Sequence, residues 1–169
     1  MSTSLAELLH EQLRDLFDAQ EQYRGLLPCM VENCTHTDLA LRLREIQETT
    51  AQNRQDLLDV CQLLKINPDG VTCEAMQGLI RETCRSATGI DDSATMDAAL
   101  IANAQRIAHY EIAGFGTASA FARCISAHEA AAALAQITER AANIDQRLTR
   151  IAQGGWFTPG INHEAAIAA

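Results

Sequence analysis

Leu9-His-Glu-Gln-Leu-Arg-Asp-Leu-Phe-Asp-Ala-Gln-Glu-Gln-Tyr-Arg-Gly-Leu-Leu-Pro-Cys-Met30 carries an apolar seam at Leu9, Leu13, Leu16, Tyr23, Leu27 and Met30, interrupted midway by Gln20. Steps of three and four residues place all seven side chains on one face of an α-helix. Three further stretches repeat the pattern. One reads Leu39, Leu43, Ile46, Thr50, Asn53, Leu57, Leu64; another Ile101, Ala104, Ala108, Glu111, Phe115; the last Leu134, Ile137, Ala141, Ile144, Leu148, Ile151. Four such stripes predict four helices packed side by side. Only 4% of the residues are aromatic against 47% apolar, a balance that suits close-packed helices rather than sheets.

The boundaries follow from capping and breaking residues. Helix one is expected from Ser4 to Asn33, with Pro28 inside it predicting a kink or an altered last turn. Helix two is expected to start at Thr37, capped by its own hydroxyl, and to stop before Asn67-Pro68. A short helix from Cys73 to Ala87 ends before Gly89. Helix three runs from Ser93 or Thr95 to Cys124. Ser126-Ala-His-Glu129 reads as a capping box opening helix four, and Gly154-Gly155 ends it. The tail, 156–169, is expected either to extend onto a neighbour or to be loose. Short turns make antiparallel hairpins of helices one and two and of three and four, and the segment from about Ile66 to Ser93 is long enough to cross the bundle between them. The whole chain, 1–169, is read as a single domain.

A formal charge of −9 argues against nucleic acid or an anionic membrane as partner, because each wants a basic face. No stretch approaches the roughly 18 apolar residues of a membrane span, and Met-Ser-Thr-Ser-Leu-Ala-Glu is no signal peptide, so a cytoplasmic protein is expected. The six cysteines, 29, 34, 61, 73, 84 and 124, contain no Cys-x-x-Cys and are read as free thiols.

Several segments resemble the YciE/YciF family of ferritin-like proteins. They are Leu16-Phe-Asp-Ala-Gln-Glu-Gln-Tyr-Arg-Gly-Leu-Leu-Pro28, Cys73-Glu-Ala-Met-Gln-Gly-Leu-Ile80, Asp97-Ala-Ala-Leu-Ile-Ala-Asn-Ala-Gln105 and His109-Tyr-Glu-Ile-Ala-Gly-Phe-Gly-Thr117, followed by Asp145-Gln-Arg-Leu-Thr149 and Gly160-Ile-Asn-His-Glu-Ala-Ala166. The resemblance implies an all-α, ferritin-like four-helix bundle with a crossover segment containing a short helix, dimeric, and associated with bacterial stress responses. It also implies a di-metal site, and this chain departs from it. Where the family pattern has Glu, the chain has Gln20, Thr49, Ala108 and Ala141, and Asn53 stands where the family has Gln or His. Glu111 and Asp145 alone keep an acidic group. One mid-seam carboxylate with two amides is a poor site for hard cations, so no metal and no cofactor are expected.

Glu111 is nevertheless the strongest candidate for chemistry, since burial between Ala108 and Phe115 raises a carboxyl pKa. The plainer reading makes it a relic acid in a polar layer with Gln20, Asn53 and Tyr23. Glu7-Leu-Leu-His10 is the one Glu-x-x-His, far from mid-seam, and is read as a surface feature. His109 points about 200° away from Glu111 around the helix and is assigned to a helix edge or an interface. His36, His128 and His163 are read as solvated. Arg140, Arg147 and Arg150 are read as a solvated face or salt-bridge partners rather than a phosphate site. Trp156-Phe157, with Tyr110 or Phe121, offers aromatic anchors for a homodimer. No Gly-rich phosphate loop or catalytic triad order occurs. Three functions remain in play. The first is a non-catalytic bundle with a degenerate site, structural or stress-associated. The second is an iron-handling or metal-dependent oxidoreductase using Glu111, Gln20, Asn53 and Asp145. The third is a binder of an apolar ligand beside Ala108 and Ala141.

Overall fold

The computed structural model describes residues 4–155 and 158–167. Its elements in chain order are α1 (Leu5–Asn33), α2 (Thr37–Leu63), α3 (Glu74–Ala87), α4 (Ser93–Cys124), α5 (His128–Gln153) and α6 (Ile161–Ile167). Among the described residues there is no strand, only an isolated bridge between Gly154 and Pro159. α1, α2, α4 and α5 form the four-helix bundle, and the crossover between the two hairpins carries α3. α1 packs on α2 and α4, and α5 packs on α2 and α4, so α1 and α5 lie on one diagonal and α2 and α4 on the other.

The seams are the core. Every seam residue of α1 is buried, and so are those of α2, α4 and α5 except Leu64 and Ile151 at the ends. Each Leu, Ile, Met or Phe side chain so buried contributes about 1.5–3 kcal/mol. The polar mid-seam splits this core into two apolar clusters, one around Leu27, Leu43 and Leu148, the other around Leu13, Leu57 and Phe115. α1 and α4 approach closely at Gly114, where a Cβ would lie 2.6 Å from Leu16 Cδ2.

α1 continues as a helix through Pro28, whose side chain faces solvent. Other local expectations are corrected. The cap of α2 is His36, not Thr37: its Nδ1 accepts from the Leu39 amide at 3.4 Å. The capping box at Ser126 does not form. Ser126 has φ +63, which is left-handed and unlike the extended backbone of an N-cap. Its amide donates to Arg123 O, and the Ala127 amide donates to Ala122 O. That pair of bonds is the Schellman closure of α4, with Ser126 as the left-handed residue. Ser126 is used to end one helix and cannot also begin the next, so α5 starts at His128 without a side-chain cap. α2 ends the same way, with Lys65 at φ +57 and Ile66 N donating to Cys61 O.

Over its described part, 158–167, the tail packs on its own bundle. The chain reverses at Gly154 (φ +77), and α6 folds back against α4 and α5 with Ile161 buried. A Cβ on Gly160 would lie 2.3 Å from Ala152 O, so this reversal needs glycine. Trp156 and Phe157, expected as anchors, lie outside the described residues.

Candidate functional site

The mid-seam places Gln20 of α1 against Glu111 of α4, and Gln20 Nε2 donates to Glu111 Oε1 at 2.5 Å. Both side chains are buried. Burial pushes the Glu111 carboxyl up to about 7, against the opposing pull of the Gln20 bond. Tyr23, one turn along α1, is buried close enough to Glu111 for the carboxylate charge to raise its phenol, after the larger effect of burial itself. The Gln20 carbonyl oxygen and the Tyr23 hydroxyl have no hydrogen-bond partner among the described residues.

Asn53 does not complete this layer as the sequence reading expected. Its Oδ1 accepts from Arg140 Nε of α5 at 2.7 Å, while its Nδ2 is buried and unpaired among the described residues. Arg140, assigned to a solvated face or an ion pair, reaches inward to Asn53 and also pairs with Asp56. The long aliphatic stem of arginine lets it span from the bundle edge to the core. Asp145 is not gathered with Glu111 either: it accepts from Gln105 Nε2 at 2.9 Å and lies 3.4 Å from His109 on the α4–α5 edge. His109 is exposed, as its helical angle predicts.

Thr49 is corrected as a site position. It is half-buried, and its hydroxyl donates to Glu45 O within its own helix. Thr50 is the inward residue, 1% exposed. Ala108 and Ala141 are buried as expected. The inward mid-bundle set is therefore Gln20 on α1, Thr50 and Asn53 on α2, Ala108 and Glu111 on α4, and Ala141 and Ile144 on α5. Ile144 was missed as a site position because an apolar residue in an apolar seam gives no signal. Among the described residues no three His, Cys, Asp or Glu side chains are grouped so as to hold a metal ion.

Two polar anchors were not foreseen. The Asp97 carboxylate, 2% exposed at the start of α4, accepts from Thr35 N, Thr35 Oγ1 and His36 N at 2.7–2.9 Å. It thereby holds the α1–α2 turn, and, after burial, it helps push the Cys34 thiol up to about 12. Cys73 caps α3 through its thiol, which lies 3.0 Å from Tyr110 Oη and 3.2 Å from Asp15 Oδ2, and Tyr110 donates to that same oxygen at 2.7 Å. Burial raises the Cys73 thiol, so this is an inert cap rather than a nucleophile. All six cysteines are unbridged. No helix is long and apolar enough to cross a membrane among the described residues.

The sequence matches a family model described as a domain of unknown function, DUF892, over residues 4–165. The chain belongs to this family. Among curated relatives, Escherichia coli YciF is 30% identical over 143 residues, which is 83% of this chain and 85% of YciF. Among solved structures, YcfI of Rhodopseudomonas palustris, described as a candidate structural protein, superposes with a TM-score of 0.86 at 34% identity, covering 89% of this chain and 96% of that one. The E. coli stress protein YciF superposes with a TM-score of 0.84 at 26% identity, covering 88% and 94%. The fold of these two structures is thus shared along most of the chain.

Proposed function

We propose that this chain is a ferritin-like bundle whose di-metal centre has been lost, and that it works without catalysis as a structural or stress-associated protein, a homodimer in the cytoplasm. One observation carries the reading. Bundles that hold two metal ions present a Glu from each of two helices and a Glu-x-x-His from each of the other two. The matching inward positions here are Gln20 and Glu111, then Thr50-x-x-Asn53 and Ala141-x-x-Ile144. Five of the six lack the ligand, and the surviving carboxylate is hydrogen-bonded to an amide. A single acid cannot offset the charge of two divalent ions. One structural relative is described as a structural protein and the other as a stress protein, which supports the structural or stress-associated part of this reading.

The test is metal content by mass spectrometry on protein expressed in iron-supplemented medium, with ferrous oxidation followed in parallel. Substoichiometric metal and no oxidation above buffer are expected. Stoichiometric iron, lost in Glu111→Gln, would overturn the reading in favour of an iron-handling enzyme. Light scattering at micromolar concentration tests the dimer, whose interface is expected to bury about 1,200–2,000 Å² in total; a monomeric mass would remove that part.

A further inference from the structure

α2 and α5 bound a cleft of about 180 Å³ on the outside of the bundle. Its polar walls are Arg42, Glu45 and Thr49 from α2 and Arg140, Asn143 and Arg147 from α5, over a floor that includes the buried Ile46 and Ile144. Three arginines thus line the cleft with one lining carboxylate, Glu45, and one of them, Arg140, is already paired with Asp56 at its edge, in a chain whose net charge is −9. The arrangement within the cleft is specific. Arg42 Nη1 and Arg147 Nη1, from different helices, both donate to the same oxygen, Glu45 Oε2, the second at 3.5 Å. Arg42 Nε is buried without an acceptor among the described residues. Arg140 is fixed from behind by Asn53 and Asp56, and neither of those bonds uses its Nη1. The cleft therefore already focuses donors from two helices on a single anionic oxygen. That oxygen belongs to a side chain that is half exposed and free to turn to solvent.

We propose that this cleft binds a phosphate-class dianion, inorganic phosphate or the phosphate group of a monoester, with Glu45 as an internal carboxylate that occupies the position until the dianion displaces it. Guanidinium groups pair with phosphate oxygens through parallel N–H donors, and a dianion offers more charge and more acceptors than one carboxylate. The exposed Arg–Glu pairs that must be broken are worth little in water. The cleft touches the mid-seam through Ile144 and through Arg140, which donates to Asn53, but none of its proposed ligand contacts involves Glu111 or Gln20.

The experiment is calorimetric titration of the full chain with inorganic phosphate at pH 8, at ionic strength held constant with chloride. Saturable binding is expected. Arg147→Gln should weaken it about tenfold or more, the loss of one charge-assisted contact. Glu45→Gln should tighten it, because the competitor is gone. Arg123→Gln, an exposed arginine on α4, should leave it unchanged. Phenyl phosphate is the second arm: affinity equal to phosphate assigns the site to monoesters, and a loss of tenfold or more assigns it to the free ion. No saturable binding above the chloride control, equal effects of Arg147→Gln and Arg123→Gln, or weaker binding in Glu45→Gln would each overturn the proposal.

Discussion

Replacing Glu111 by Gln tests the energetics of the mid-seam through pH. The carboxyl ordinarily titrates at 4.5, and burial moves it to about 7 in the folded chain. Between those two values the folded state holds a proton that the unfolded state has released. Stability therefore falls as pH rises through this window, and the cost is complete above 7. At about 1.4 kcal/mol per pKa unit the full penalty is about 3 kcal/mol, present at pH 8 and absent at pH 4. The substituted amide would be neutral throughout and still able to pair with Gln20, whose carbonyl oxygen has no partner at present among the described residues. At pH 5 the variant should lie within about 1.5 kcal/mol of the parent. At pH 8 it should be the more stable of the two. Urea unfolding of both proteins at half-unit intervals from pH 5 to 8 measures the difference directly, and contributions from other groups cancel in the comparison. Parallel stability curves across that range would refute the claim that an unbalanced buried carboxylate sits in this core.

Three further outcomes follow from the caps and anchors. Ser126→Gly should raise stability by about 0.5–1 kcal/mol in denaturant unfolding, since glycine takes the left-handed position without strain. A capping role for Ser126 in α5 would instead make any replacement of its hydroxyl costly. Asp97→Ala should destabilise by about 3 kcal/mol or more, because it strands two backbone amides and a hydroxyl at the α1–α2 turn; hydrogen exchange at Thr35 and His36 should rise with it. Gly160→Ala should undock α6, and limited proteolysis after residue 153 is the readout, with the four long helices protected as before.

The seams made the four long helices legible, because spacing alone fixes which face each helix buries. The crossover helix was legible too, bounded by Asn67-Pro68 on one side and Gly89 on the other. Ser126 shows where such reading fails. The same serine satisfies a start signal for one helix and a left-handed stop for the previous one, and hydrogen bonding through Arg123 and Ala122 decides between them. At the mid-seam, Glu111 with Gln20 was readable from position. Arg140 was not: its place on the helix edge gives no sign that its side chain turns inward to Asn53. Thr49 and Thr50 are adjacent and chemically alike, and only the seam phase, read strictly, separates the outward one from the inward one. Asp97 left no trace at all, since its partners lie about sixty residues earlier in the chain.

Four polar ties of the interior cross between the hairpins, while Ser119 of α4 donating to Ala131 O of α5 ties one hairpin internally. Gln20 holds Glu111, Asp97 holds the α1–α2 turn, Tyr110 holds Asp15, and Arg140 holds Asn53 and Asp56. Either hairpin alone would strand half of each pair in an apolar face open to water. The covalent link through residues 66–92 is then not what keeps the halves together. A chain cut once in that link should stay assembled as a two-piece complex with its helical signal intact, and come apart only when it unfolds, at a midpoint that shifts with concentration. Separation of the pieces on gel filtration without denaturant would contradict this, and would make the link, rather than the shared interior, the bond between the halves.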